Sequence, residues 1–124
     1  MSDEHLTTIR DLDTFVEVVF EGEGPVVVDF WAEWCGPCRA FAPVFAATAA
    51  RRPAVKFVKV NTEQSPDIAK AAGIRSLPTI GLYWKGELRD VLIGAQPPAV
   101  FEKRIQSLED RAAGKGFFAR LLGR

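Results

Sequence analysis

Hydrophobic and polar residues follow one another along the chain in blocks that predict a repeating order of helices and strands. Apolar residues recur at helical spacing after Asp11 or Asp13, either of which could cap a first helix, and glycines predict its end. The next block, 26–31, is β-branched and aromatic, a pattern typical of a strand buried on both faces. Asp29 is the one polar residue of this block, and its place in a buried strand therefore needs an explanation.

A long helix is predicted to follow this strand, beginning at or beside Cys35. Apolar residues recur at helical spacing from Phe41 to Phe45, and alanines continue the pattern to Ala50. Pro43 lies inside this stretch, where its ring and missing N–H should kink the helix.

The second half of the chain predicts strand, helix, two strands and a last helix. These are a strand at 55–61, a short helix capped by Ser65 and closed by Gly73, strands at 79–84 and 88–93, and a helix from about Pro98 to Arg111 with Val100, Phe101, Ile105 and Leu108 as its apolar face. Lys85, Gly86 and Glu87 form a short connection, so the two late strands should pair as an antiparallel hairpin. The alternation of strands and helices predicts an α/β fold.

Length and charge limit the classes of function that remain. A chain of 124 residues, 48% of them hydrophobic, is the size of one domain with one core. Its 16 basic and 16 acidic residues cancel, so no overall basic field favours nucleic acid. The N-terminus lacks the basic-then-apolar order of a signal peptide, and no apolar run has the length of a membrane span. We therefore expect a cytoplasmic protein.

The C-terminal tail, residues 113–124, differs in composition from the domain predicted at 1–112. Its last residues combine basic side chains with four large apolar ones and contain no acid. Three interpretations remain open: a weak membrane-surface segment, an interface with a partner or a second copy, and a short turn or frayed end of the domain itself. We favour the third interpretation and expect no membrane binding and a monomeric protein.

The chain has two cysteines, Cys35 and Cys38, which can be assigned to three kinds of site. Structural zinc needs four ligands, whereas the chain offers two thiols and His5, so no metal is expected. A structural disulfide closing so short a loop would remove only about 2 kcal/mol of unfolded-state entropy, against about 4.7 kcal/mol for a loop of about 100 residues. Two cysteines at this spacing are therefore poorly suited to a structural zinc site and to a disulfide that stabilises the fold.

A redox pair agrees better with the residues around these cysteines. A cysteine at a helix start faces unpaired backbone N–H groups, which favour the thiolate, so Cys35 is the candidate nucleophile. Cys38 lies one turn further on the same side and can resolve a mixed disulfide on Cys35. Between them, Gly36 leaves the approach to sulfur open and Pro37 presets a helical φ. Because neither central residue is a histidine, the pair favours a reductant over an oxidant.

Together these motifs make the sequence resemble the thioredoxin family. The resemblance runs in order from about Leu6 to Leu108 and is carried by the segments Trp31–Cys38, Val58–Asn61 and Gly73–Thr79 with Asp29, Pro43 and Gly94. It implies a thioredoxin fold, with a central mixed β-sheet flanked by helices on both faces. It also implies a protein-disulfide reductase that needs no cofactor, acts on disulfide-containing proteins and is recharged by a thioredoxin reductase.

The resemblance further assigns roles to single residues. Asp29 corresponds to the buried acid of the family and Lys59 to the lysine near it. Because burial disfavours a carboxylate, we expect a raised pKa for Asp29, partly opposed by Lys59, and proton transfer with Cys38. Trp31 should pack under the active site, and Trp34 should contact partner proteins.

The remaining assignments concern the loops next to the cysteines. Pro78 should follow a cis peptide bond, Leu77 and Thr79 should expose backbone on which a target strand can pair, and Gly94 should lie in a third substrate-facing loop. One alternative function remains, a thioredoxin-fold interaction module or co-chaperone with incidental thiols. A disulfide isomerase or oxidase is disfavoured by the Gly-Pro pair.

Overall fold

The computed structural model describes residues 3–114, which form a five-stranded sheet with helices on both faces. The strands are β1 (Leu6–Thr8), β2 (Val26–Trp31), β3 (Lys56–Asn61), β4 (Thr79–Trp84) and β5 (Glu87–Ile93). The helices are α1 (Leu12–Phe15), which continues as a wider π-helical turn at Val16–Phe20, then α2 (Gly36–Arg51), α3 (Pro66–Ala72) and α4 (Pro98–Ala112). The predicted α/β fold class is confirmed.

The sheet is mixed, with strand order β1-β3-β2-β4-β5. β1, β3 and β2 run parallel, whereas β4 is antiparallel to both β2 and β5. β2 is therefore central and buried, as its largely apolar pattern predicted, and the register sets Asp29 directly opposite Lys59 of β3. The sequence did not predict β1, because three residues at the sheet edge are too few to show a period of two.

Two apolar clusters fix the helices to opposite faces of the sheet. The first joins α2 and α4 to one face through Phe41, Phe45, Val27, Phe57, Phe101 and Ile105. The second joins α1 and α3 to the other face through Phe15, Val19, Val28, Phe30, Val60 and Ile68. Successive strand residues point to opposite faces, so Asp29 lies on the same face as Val27, toward α2 and α4.

The predicted helix cap and the predicted hairpin turn are both present in the structure. Asp11, not Asp13, caps α1 by accepting a hydrogen bond from the Thr14 N–H at 2.9 Å. The β4–β5 connection is a tight turn with φ of 53° at Lys85 and 74° at Gly86, both in the left-handed region.

Three expectations need correction or lie outside the described part. Ser65 stands at the N-cap of α3 but does not cap it with its side chain, because its hydroxyl donates to the Arg10 carbonyl instead. Val100, expected on the apolar face of α4, is 40% exposed, whereas Phe101, Ile105 and Leu108 are buried. The predicted tail lies outside the described residues from position 115 onward. Within residues 3–114, no helix has the length and apolar character needed to cross a membrane.

Candidate active site

The two cysteines lie at the N-terminus of α2, where they form a disulfide with their Cα atoms 5.3 Å apart. Cys35 is the N-cap of the helix with an extended backbone, and Pro37 occupies the first turn. The Cys38 N–H donates to the Cys35 Sγ over 3.2 Å. This hydrogen bond and the positive end of the helix dipole both favour negative charge on the Cys35 sulfur, so the geometry suits a Cys35 thiolate in the reduced protein.

The residues beside the cysteine pair differ in their exposure. Both cysteines are buried and pack with Ala32 in a small cluster, against which Trp31 and Leu77 lie. Trp34, immediately before Cys35, is 66% exposed, and Gly36 and Pro37 are exposed as well. A partner protein can therefore approach the sulfurs over Trp34 and the Gly-Pro turn.

The Leu77–Pro78 peptide bond is cis, as predicted, and its loop lies against the cysteine pair. Gly94, far along the chain, joins the same surface because its N–H donates to the Pro78 carbonyl at 2.8 Å. Gly94 has φ of +92°, a conformation that favours glycine. The fold thus brings together three chain segments that the sequence assigned to one site.

Contrary to the expectation from the sequence, Thr79 does not expose its backbone for a target strand. It is the first residue of β4, is buried, and lies between Phe30 of β2 and Ile93 of β5. Its hydroxyl donates to the Ser76 carbonyl at 2.6 Å, which holds the loop. Because neighbouring strands flank Thr79 on both sides, its backbone is not the open edge that was predicted. Leu77, half-buried and outside the strand, remains the candidate for pairing with a target.

Asp29 lies on β2, the strand that leads into the cysteine loop, and is 1% exposed. Neither carboxylate oxygen has a hydrogen-bond partner among residues 3–114. Burial disfavours the charged form and raises the pKa of Asp29 to about 7, while the Lys59 ammonium acts in the opposite direction. Both effects have the direction expected from the sequence. The group can therefore bind or release a proton close to neutral pH.

Lys59 makes a contact that sequence reasoning missed. Its Nζ lies 4.7 Å from the ring centroid of Trp31, within cation–π range. The Trp31 indole N–H is buried and has no hydrogen-bond acceptor among the described residues. Asp29 and Trp31 both follow Val27 at even spacing on β2, so the three side chains share one face. That shared face was readable from the sequence, but the pairing of β2 with β3 was needed to add Lys59.

The described part of the chain offers no metal site. Within residues 3–114, no group of three or more His, Cys, Asp or Glu side chains could hold a metal ion. The arrangement places two thiols, one buried acid and a surrounding apolar surface close to the start of α2.

Comparison with known proteins identifies the relatives of this chain. The family model described as Thioredoxin matches residues 7–107. A chloroplastic M-type thioredoxin of Chlamydomonas reinhardtii is 46% identical over 95 residues, covering 76% of this chain and 68% of the relative. A thioredoxin of Streptomyces clavuligerus is 45% identical over 87 residues, covering 70% of this chain and 81% of the relative. The solved structure of oxidised mitochondrial thioredoxin 3 from Saccharomyces cerevisiae matches with a TM-score of 0.76 and 36% identity over 83% of this chain and 95% of that one.

Proposed function

The chain belongs to the thioredoxin family of protein-disulfide reductases, and from this premise we propose that Cys35 is its nucleophile and Cys38 its resolving thiol. The position of the disulfide at the N-terminus of α2, against the loop of Leu77 and Pro78, is the observation that carries this assignment. Helix N–H groups stabilise a thiolate at the N-cap more than one turn later, so Cys35 is the sulfur that attacks first.

The exchange proceeds in two steps from the reduced protein. The Cys35 thiolate attacks one sulfur of a target disulfide, the target S–S bond breaks, and the departing target sulfur takes up a proton. Cys38 then loses its proton and attacks the Cys35 sulfur of the mixed disulfide. The Cys35–target bond breaks, the second target sulfur leaves as a thiolate that takes up a proton from solvent, and the Cys35–Cys38 disulfide forms. Two electrons pass to the target in one cycle.

Asp29 accepts the Cys38 proton in the second step, and Lys59 modulates its acidity. A pKa of about 7 suits an acid that must both take and return a proton near neutral pH. Lys59 lies opposite Asp29 in the β2–β3 register, and its ammonium favours the charged carboxylate. Without this cation the acid would bind its proton more tightly and return it more slowly.

Target proteins bind over the exposed side of the site. Trp34 supplies an open aromatic surface, while Leu77 and Gly94 supply backbone and apolar contact. The supporting residues are Trp31, Gly36, Pro37 and Pro78, which shape the turn and the floor beneath it.

Oxidised protein must be returned to the dithiol by an external reductant, and we assign this step to a thioredoxin reductase. The relatives include chloroplastic and mitochondrial proteins, so the cytoplasmic location expected from the sequence stays a prediction. The monomeric state and the domain boundary at residue 112 stay predictions as well.

Reduction of insulin tests this function. With NADPH and a thioredoxin reductase, the chain should catalyse insulin precipitation, and with dithiothreitol as reductant it should accelerate the same reaction. The dithiothreitol arm tests the chemistry of this chain without a matched reductase. A Cys35→Ser/Cys38→Ser double variant is the control, and equal rates for parent and control would favour the interaction-module alternative.

A further inference from the structure

An apolar groove of about 380 Å³ lies on the same sheet face as α1 and α3, over the part of β4 and β5 that these helices leave uncovered. Its walls come from β4, β5 and the residues that follow α3, and include Ile74, Gly81, Tyr83, Leu88, Val91 and Ile93. A Cβ at Gly81 would lie 2.7 Å from Cε1 of Tyr83, so a side chain there would collide with the tyrosine ring. Gly81 therefore lets the Tyr83 ring lie flat against β4, where it forms part of the groove wall.

The outer wall of the groove is a strip of three exposed side chains on β5. The exposed fractions of these side chains are 53% for Leu88, 44% for Val91 and 58% for Ile93. Each residue pairs with a residue of β4, and all three side chains lie on the same face of the sheet. We call these three residues the β5 strip. β5 is also an edge strand of the sheet. A row of large apolar residues on an open edge is a typical docking surface or an aggregation risk.

The described chain ends close to this edge. α4 returns along β5, because Arg104 binds Asp90 at 2.6 Å and Arg111, seven residues later, also acts on the Asp90 carboxylate. α4 ends at Ala112, so residues from Gly114 onward start near the half of β5 that carries Leu88.

The segment 115–124 has the length and composition to cover the strip. It contains Phe117, Phe118, Leu121 and Leu122 and no acidic residue. Ten residues reach at most about 33 Å, whereas the strip from Leu88 to Ile93 spans about 17 Å of strand. The two phenylalanines come first and can meet Leu88, and the two leucines follow and can meet Val91 and Ile93.

We propose that segment 115–124 crosses the edge of β5 and docks its four large apolar side chains on the β5 strip and into the groove. Because the segment is tethered, its effective concentration at the strip is on the order of millimolar, so weak apolar contacts suffice for binding. The docked segment lies beside Ser76 and Thr79, which also line the groove, and so borders the loop that positions Pro78.

Methyl NMR of the full chain tests the proposal. Replacing Phe118→Ser and Leu121→Ser together should shift the methyl signals of Leu88, Val91 and Ile93, because an aromatic ring and an apolar contact are removed. The Val100 methyls, 40% exposed on α4 outside the groove, are the control and should not shift. The change should be the same at low and high protein concentration.

A reciprocal variant makes the test independent of the segment's own substitutions. Val91→Asp should shift the Leu121 and Leu122 methyl signals, whereas Val100→Asp, at a position of similar exposure, should leave them unchanged. Strip signals that ignore the segment variant would overturn the proposal. So would shifts that grow with concentration together with a dimer mass, which would indicate a second copy. Signals that respond only when anionic vesicles are added would also contradict it.

Discussion

The two faces of the sheet are covered in different ways. On one face, α2 and α4 close over the strands with a cluster that contains four phenylalanine rings in mutual contact: Phe41, Phe45, Phe57 and Phe101. The two helices are also joined by Arg52, whose guanidinium binds Glu102 and Glu109. On the other face, α1 and α3 cover the centre but leave the β5 strip exposed.

The closed face contains a buried titratable acid, whereas the open face presents exposed side chains for contact. The closed face holds Asp29, an acid without a hydrogen-bond partner in the described part of the chain, in an apolar environment that raises its pKa. Such a destabilised group is tolerated because the surrounding packing is dense. Among residues 3–114 the open face holds no buried acid, and its exposed residues can interact with other chain segments instead.

The largest effect is expected at the cysteines. Cys35→Ser should abolish insulin reduction, because serine provides no thiolate to attack the target. Cys38→Ser should instead accumulate mixed disulfides with target proteins, because the resolving thiol is missing. Non-reducing gels with mass spectrometry of the trapped species measure both outcomes. Turnover by the Cys35→Ser variant would show that the roles are assigned wrongly.

The same substitution on the two faces should have unequal effects on stability. Phe101→Ala removes a fully buried ring that contacts three other phenylalanines, and we expect a loss of about 3–5 kcal/mol of unfolding free energy. Phe20→Ala removes a part-exposed ring that contacts Phe15 and Tyr83, and the loss should be about 1 kcal/mol. Urea unfolding measures both, and equal losses would remove the distinction between the faces.

Asp29→Ala should stabilise the protein at pH 8 and slow thiol–disulfide exchange. The folded-state pKa of about 7 lies above the ordinary 3.8, so the folded protein binds the proton more tightly. Unfolding free energy therefore falls as pH rises from about 4 to about 7, by up to about 4 kcal/mol. Asp29→Ala lacks this loss at pH 8, so it should be more stable than the parent there by the same amount minus the cost of the cavity that alanine leaves. Below pH 4 only the cost of the cavity remains.

An isosteric variant controls for that cavity. Asp29→Asn keeps the volume and cannot ionise, so its unfolding free energy should vary less with pH than that of the parent. Thermal unfolding at several pH values measures the three proteins. If Asp29→Ala is less stable than the parent at pH 8 and exchanges at the parent rate, Asp29 is a structural acid only.

The smallest effect is expected at the open face. Replacing Phe118→Ser and Leu121→Ser should leave insulin reduction nearly unchanged, because no residue of segment 115–124 belongs to the proposed exchange chemistry. Parent and variant are compared at equal concentration with dithiothreitol as reductant. A large fall in rate with an unchanged fold would place the segment in the site.

Much of the fold could be predicted from the sequence because the strong signals are local. The apolar run of β2, the cap at Cys35 and the glycine of the β4–β5 turn each act within a few residues. What could not be predicted depends on distant pairing. The strand β1 is recognisable only beside β3, and the Lys59–Trp31 contact only after β2 and β3 are aligned.

The same limit applies to the site. The roles proposed for the two cysteines rest on their spacing and on their position at a helix start, which the sequence displays directly. The burial of Thr79 follows from β2 and β5 lying on either side of β4, which no local pattern reveals. The exposure of Val100 has a similar origin, since the helical period places it at the edge of an apolar face whose width the sheet decides.

Asp29, a buried acid on the closed face, should bind and release a proton near neutral pH. Carboxyl ¹³C NMR of the oxidised protein, with Asp29 assigned by its loss in Asp29→Asn, measures this directly. The account predicts a titration midpoint at about 7 for Asp29. A midpoint near the ordinary value of 3.8 would contradict it, because the carboxylate would then stay charged throughout the exchange reaction.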